Sequence, residues 1–342
     1  MLTRREWLRL TGSGLFATMT GCAHQARAAT NVPVTGLDQV ARCNGCKGWA
    51  LWNGHSKTAG WNTDERNGVL SIAKTLAGLA VTRAVSKGKM SLDEPVYHTF
   101  PEWAGDENKR RITPRMLLQQ TSGLENGGNN LYRSVVDDKG RVALSLKVVN
   151  PPGTFFRYGA SHWEVLGEFL NRKLAGEPLE RFMHHEVTAA IGLSPTEWRS
   201  DLKGRFYLST GPKMTVDDLG KLGRTLAKLL RGESTDGFDA GVYASVTRPS
   251  AVNPMFGGGL WRNIQVNHGN ARPIEVEDSI EPAPAPGFWS GTCLSTRQPA
   301  ELVGLIGSSG QRVFIWPSKD RVFARIGGSR NWKDRPLLDT LA

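Results

Sequence analysis

No run of about 18 uncharged apolar residues occurs in this 342-residue chain, so an ordinary membrane-spanning helix is not expected. Acidic residues are the minority, 32 against 43 Lys and Arg, and the formal net charge is +11. The basic residues are nevertheless scattered. There is no basic block and no basic stripe interleaved with aromatics, which argues against a nucleic-acid partner. Cysteine is scarce, at four residues. Zinc would need a second pair of ligands near Cys43-Asn-Gly-Cys46, and Cys293 alone does not supply one. Gly-x-Ser-x-Gly is absent, which excludes the nucleophile elbow of an α/β-hydrolase. His184-His185-Glu186 lacks the i, i+4 histidine pair of a zinc helix and reads as a solvated helix face. Gly257-Gly258-Gly259 has no phosphate-loop lysine and reads as a flexible or close-packed loop. Neither an internal repeat nor a low-complexity tract is present.

What is present is globular: 39% of residues are hydrophobic and 22% charged, enough to bury a core. The first 28 residues stand apart and carry three of the net positive charges. Thr3-Arg4-Arg5-Glu6-Trp7-Leu8-Arg9, followed by a mildly apolar run to Thr20, resembles a twin-arginine export signal. Met19-Thr20-Gly21-Cys22 resembles a lipobox, in which Cys22 is lipidated and becomes the membrane anchor. The rival is plain cleavage after Ala26-Arg27-Ala28. The expected address is export to the periplasm, with anchoring through Cys22. In that oxidising setting Cys43 and Cys46 are expected to form a local disulfide around their Asn-Gly turn, in preference to a redox site.

Residues 48–52 and 56–61, split by Asn53-Gly54, predict a hairpin. Apolar residues at 72, 76, 79, 80 and 81 predict a helix from Ser71 to near Gly88. Thr113 followed by Pro114 predicts an N-capped helix. Further helices are expected over 160–175 and 178–191, and from Thr215 to Leu230. Gly and Pro thicken from 250 to 291, including Pro282-Ala-Pro-Ala-Pro286. Residues 311–316 and 321–326 form a second hairpin, and a short helix closes the chain at about 331–341. Strands at both ends with helices between them predict an α/β (α+β) fold, with one antiparallel sheet built from both termini. The expected division is 1–28 export signal, 29–105 with 250–342 as the sheet domain, and 106–249 as an inserted, mainly helical lobe. A cleft between the lobes is the expected site.

Three Ser-x-x-Lys patterns compete for the chemistry. Ser86-Lys-Gly-Lys89 falls at a helix end, and Ser200-Asp-Leu-Lys203 in a polar hinge. Only Ser71-Ile-Ala-Lys74 opens a helix, where the backbone N–H and the positive end of the dipole suit an oxyanion. Lys74 lies one turn on, so its amine can return over the Ser71 hydroxyl. Ile72, Leu76 and Leu79 desolvate that amine and lower its pKa towards neutrality, leaving a base able to activate the serine.

Val69-Leu-Ser-Ile-Ala-Lys-Thr-Leu-Ala-Gly-Leu-Ala-Val81 resembles the nucleophile helix of the serine β-lactamase and penicillin-binding-protein-like superfamily, in its class C β-lactamase and esterase branch. Ser91-Leu-Asp-Glu-Pro-Val, Ile112-Thr-Pro-Arg-Met-Leu-Leu-Gln-Gln-Thr-Ser-Gly-Leu124 and Asn150-Pro-Pro-Gly-Thr-Phe-Phe-Arg-Tyr158 follow in that family's order. The resemblance runs from about Gly48 to Gly328. It implies a β-lactamase-like fold, Ser71 as the acylated nucleophile, Lys74 as its base and Tyr158 as a proton relay. Among five tyrosines, Tyr158 is the one that follows Pro-Pro-Gly-Thr. Two departures stand out. Ala160 replaces the asparagine of Tyr-x-Asn, which weakens a β-lactam reading. The third motif, Lys/His-Thr/Ser-Gly, is missing in standard form. Gly-Ser308-Ser309-Gly310-Gln311 takes its place and resembles the variant of nylon-oligomer-hydrolase-like relatives, with Ser209-Thr-Gly211 as a rival. That placement removes the positive handle for a substrate carboxylate and makes Gln311 N–H the second oxyanion donor.

The expected function is therefore an exported serine hydrolase that cleaves an ester or amide of a small-molecule or peptide-like substrate through an acyl-enzyme. No cofactor or metal is called for. D-Ala-D-Ala carboxypeptidase or β-lactamase activity is one alternative, and a non-catalytic binding or scaffold protein is another. Trp163, Trp261 and Trp289 are candidate cleft-lining residues.

Overall fold

The computed structural model describes residues 36–133, 136–264, 274–275, 287–329 and 331–342. The expected export segment with Arg4, Arg5 and Cys22, and the stretch 282–286, lie outside the described residues. Among the described residues, no helix is long and apolar enough to cross a membrane.

Gly54-His55 is the turn that joins β1 (Cys46–Asn53) to β2 (Ser56–Trp61), with Gly54 at φ +58° as the tight turn demands. A short β3 (Arg66–Gly68) pairs antiparallel with β4 (Lys213–Thr215). Late in the chain come β5 (Phe256–Gly257), β6 (Leu260–Arg262), β7 (Ile274–Glu275), β8 (Thr292–Cys293), β9 (Val303–Gly307), β10 (Gln311–Trp316) and β11 (Arg321–Gly327). The main sheet is seven-stranded and antiparallel in the order β2-β1-β11-β10-β9-β6-β5. β1 lies against β11, so the sheet is built from both ends of the chain, as expected. Every residue of β9 and β10 is buried. A strand covered on both faces loses the apolar–polar alternation that marks a strand in sequence, and β9 was not anticipated for that reason.

The helices begin with α1 (Gly36–Ala41) and α2 (Ala73–Ser86), the latter buried at eleven of its positions. A helix apolar on all sides belongs in a protein interior, and α2 runs through the centre of this one. Thr113 caps α3 (Pro114–Leu118) through Met116 N–H, with Pro114 at the first helical position. Next comes α4 (Ser161–Lys173). Residues 179–191 are helical throughout, with a wider turn over His184–Thr188, and end at left-handed Gly192. Thr215 and Asp218 form a capping box at the start of α5 (Val216–Leu230), and α6 (Arg335–Thr340) closes the chain.

α5 corrects the expected division. It was assigned to the helical lobe, yet it packs on β1, β10 and β11 and covers one face of the sheet. Gly220 and Gly223, one turn apart, allow this approach. A Cβ at Gly220 would sit 2.5 Å from the Trp52 ring, and one at Gly223 would sit 2.5 Å from Val322. Gly257-Gly258-Gly259 is likewise close-packed. A Cβ at Gly78 of α2 would lie 2.3 Å from Gly258 O, and one at Gly259 would lie 2.5 Å from the Lys74 backbone. The expected Cys43–Cys46 disulfide is not formed. Cys46 carries a free thiol that donates to Gly48 O (3.4 Å), and burial raises its pKa.

Gly220→Ala tests this packing. Overpacking against Trp52 costs about 1–3 kcal/mol and outweighs the gain of about 1 kcal/mol in helix propensity. Urea unfolding is expected to show a lower midpoint with an unchanged slope.

Candidate active site

Ser71 lies in a 3-10 turn, Leu70–Ile72, one residue ahead of α2. Leu70 sits in the left-handed region at φ +51°, a conformation that costs a branched residue about 1–2 kcal/mol. The surroundings hold it. β3 is fixed to β4, Val69 N–H donates to Pro212 O (3.0 Å), and Ile72 N–H donates to Val69 O (3.2 Å). The chain therefore turns sharply out of β3 and presents the Ser71 hydroxyl to a cavity of about 150 Å³. Tyr158, Trp261, Ile306, the Gly307–Gly310 turn, Arg312 and Trp332 are among the cavity's lining residues.

Lys74, on the first turn of α2, is 1% exposed. Its Nζ lies 3.0 Å from Ser71 Oγ, 3.2 Å from Tyr132 Oη and 2.6 Å from Ser209 O. Burial strips the ammonium of water and brings its pKa down from 10.5 to about 7, against the opposing pull of Glu164. The Tyr158 ring stands 5.0 Å from the same nitrogen. Burial pushes the Tyr158 phenol up to about 12, moderated by the neighbouring Ser71 hydroxyl and by Arg312. At neutral pH the phenol keeps its proton while the amine is poised to lose one.

The landmarks around Tyr158 have a physical use: they fix its loop. Gln120 Oε1 accepts Gly159 N–H (2.8 Å), and Gln120 O accepts Arg157 N–H (3.0 Å). His162 Nε2 bonds Arg157 O at 2.8 Å, and its Nδ1 bonds Ser122 Oγ at 2.8 Å. Burial lowers this imidazole to about pKa 4, so it is neutral and structural. Ala160 is buried and brings no polar group to the site.

On the far side of the amine, Ser209 is held by Glu164. That carboxylate is fully buried, accepts Ser209 N–H (2.9 Å) and pairs with Lys139 Nζ (3.0 Å). Ser209-Thr-Gly211, the rival third motif, lies beside Lys74, where Gly211 abuts Ala73, and not at the sheet edge. Tyr132 was not anticipated at all. Its segment, Gly128–Arg133, is a single irregular helical turn without apolar periodicity, and only the fold brings it to Lys74.

The 308–311 segment is placed differently from expectation. Ser308, Ser309 and Gly310 line the cavity as the turn of the β9–β10 hairpin, with Ser309 at φ +57° and Gly310 at +77°. Gln311 does not line it. It is paired across the ladder with Gly307, and its side chain is spent on Gly327 N–H, Asn67 and Ser309 O. The backbone that meets the Ser71 turn is Gly307, where a Cβ would lie 2.5 Å from Val69 O. The expected loss of positive charge is also corrected. Arg312 lines the cavity, although its Nε donates to both Asp334 oxygens (2.7 and 2.9 Å) and its charge is compensated. Of the three tryptophans singled out, Trp261 lines the cavity. Trp289 packs behind it at 5.7 Å, and Trp163 is buried within α4. The rival serines have other roles: Ser86 is exposed at the end of α2, Ser200 Oγ donates to Trp198 O, and Lys203 pairs with Asp138.

A central buried helix with a serine at its entry and a lysine on its first turn, set at the edge of an antiparallel sheet, defines a class of fold. The chain belongs to the beta-lactamase family, whose model matches residues 40–337. It is 30% identical to the acyltransferase calJ of Penicillium decumbens over 151 residues, 37% of this chain and 36% of that protein. It is 28% identical to the esterase EstB of Burkholderia gladioli over 142 residues, 36% of each. The matched stretches thus span about a third of these curated relatives. A putative beta-lactamase from Bacteroides dorei shares the fold, at 19% identity and a TM-score of 0.66 over 91% of this chain and 98% of that one.

Glu164→Gln would leave Lys139 buried without its counter-charge. The expected cost is about 3–5 kcal/mol. In urea unfolding, the double variant Lys139→Met, Glu164→Gln is expected to lose less than Glu164→Gln alone, since it buries no charge.

Proposed function

We propose that this protein is a serine hydrolase that cleaves an ester or amide bond through an acyl-enzyme on Ser71. One observation carries the reading: a desolvated Lys74 amine, with a pKa of about 7, stands 3.0 Å from Ser71 Oγ. Lys74 takes the hydroxyl proton as Ser71 Oγ bonds to the substrate carbonyl carbon. Tyr158, still protonated, gives its proton to the departing alcohol or amine. Water, activated by the same groups, then releases the acid and frees Ser71. The oxyanion is held by the N–H of Ser71 and that of Ser308, which follows Gly307 at its approach to the nucleophile turn. One such donor is typically worth about 2.7–4 kcal/mol. The esterase relative supports hydrolysis. The acyltransferase relative supports a second reading, in which an alcohol acceptor replaces water in the last step. The Arg4-Arg5 opening and the Cys22 lipobox support export to the periplasm and a lipid anchor. A labelled palmitate incorporated by the native chain and lost in Cys22→Ser is the expected result.

The catalytic reading is tested by intact-mass spectrometry after incubation with a fluorophosphonate. A single adduct, absent in Ser71→Ala, is expected. Lys74→Met should slow its formation by about 10²–10⁴-fold. The wild-type rate should rise with pH through about 7, as Lys74 loses its proton, and stay level well into the alkaline range because Tyr158 holds its own to about 12. An adduct that survives Ser71→Ala would assign the chemistry to another serine. No adduct on the native chain would favour a binding or scaffold role.

A further inference from the structure

We propose that Tyr132 is a positioning residue whose phenol oxygen takes one Lys74 N–H and so turns the amine's lone pair towards Ser71. This rests on the acyl-enzyme reading above.

The inference comes from counting valences at one nitrogen. A neutral amine has two N–H bonds and one lone pair, and Lys74 Nζ has three partners within 3.2 Å. Ser209 O, a carbonyl, can only accept, so it fixes one N–H. The other N–H and the lone pair are shared between Ser71 and Tyr132. If the N–H faces Ser71, the lone pair faces Tyr132 and cannot receive the serine proton.

The surroundings of Tyr132 decide the arrangement. Burial raises the phenol well above its ordinary pKa, so it stays protonated and must place its own O–H. The buried Ser209 hydroxyl lies beside the phenol, whose pKa it holds down as a side-chain hydrogen-bond partner, and no other group meets that hydroxyl in hydrogen-bonding geometry. With the phenol proton turned to that oxygen, Tyr132 Oη is left as an acceptor for Lys74. Direction then runs one way, from Ser71 O–H to Lys74, from Lys74 N–H to Tyr132, and from Tyr132 O–H towards Ser209 Oγ. The other titratable groups around the amine are Tyr158, Glu164 and His162. His162 has both ring nitrogens occupied, and the Glu164 carboxylate is spent on Lys139 and Ser209 N–H. Among the described residues, Tyr132 is therefore the group left to orient the second N–H.

The experiment is the pH dependence of fluorophosphonate labelling in the native chain, Tyr132→Phe and Ser209→Ala. Phenylalanine keeps the ring and loses only the oxygen. The expected Tyr132→Phe profile has a plateau lowered about tenfold, the worth of one hydrogen bond, and an ascending limb moved to lower pH, because an acceptor for the ammonium is gone. Ser209→Ala keeps the carbonyl at Lys74, removes the acceptor for the phenol proton, and is expected to lower the plateau by a smaller factor. If Tyr132→Phe does not fold, Ser209→Ala decides. A plateau and limb that coincide with the native profile in the folded variants overturn the proposal and leave the acyl-enzyme reading standing. A native chain without labelling, or with no ascending limb near neutral pH, overturns that reading itself.

Discussion

An amine buried without a carboxylate in contact is the constraint to which the structure around Ser71 answers. Lys74 sits in a helix that is buried along most of its length, and its nearest oxygens belong to a serine, a tyrosine and a backbone carbonyl. Moving its pKa from 10.5 to about 7 corresponds to roughly 5 kcal/mol of lost preference for the charged form. A carboxylate in contact would restore that preference and keep the amine charged. The carboxylate that acts on it, Glu164, is paired with Lys139 and reaches Lys74 only through Ser209 and through space.

Three walls keep the amine dry, and each comes from a different part of the chain. β3 and β4 pair so that residues 209–215 lie along the Ser71 turn. α3 and the Gln120–Gly123 stretch after it fix the Tyr158 loop through backbone contacts and neutral His162. The glycines at 258 and 259 press backbone to backbone on α2, where any side chain would open a gap. The sheet supplies the edge. Gly307 lets β9 close on Val69, and the turn beyond it borders the cavity.

Much of this was legible in the sequence, for local reasons. Ser71 and Lys74 declare themselves by helical spacing in an apolar run, and Thr113-Pro114 and the Thr215 capping box by end chemistry. Tyr158 was marked by Pro-Pro-Gly-Thr before it. The rest depends on contacts between distant segments. Tyr132 carries no periodic signal and meets Lys74, 58 residues away in sequence, only through the tertiary fold. β9 hides because both of its faces are buried, so its approach to Val69 through Gly307 carried no sequence signal. α5 has clear amphipathic spacing, but only its glycines at 220 and 223 say that the sheet, and not another helix, receives it. The Cys43–Cys46 spacing fitted a local bridge, whereas Cys46 is drawn into β1 as a free thiol bonded to Gly48 O.

The direct measurement is the titration of Lys74 itself, by NMR of a side chain labelled at Cε and Nζ, in the native chain and assigned with Lys74→Arg. A midpoint near 7, with the amine neutral above it, is expected if burial governs the site. A midpoint near the ordinary lysine value would mean that the amine stays charged beside Ser71 and cannot be the base.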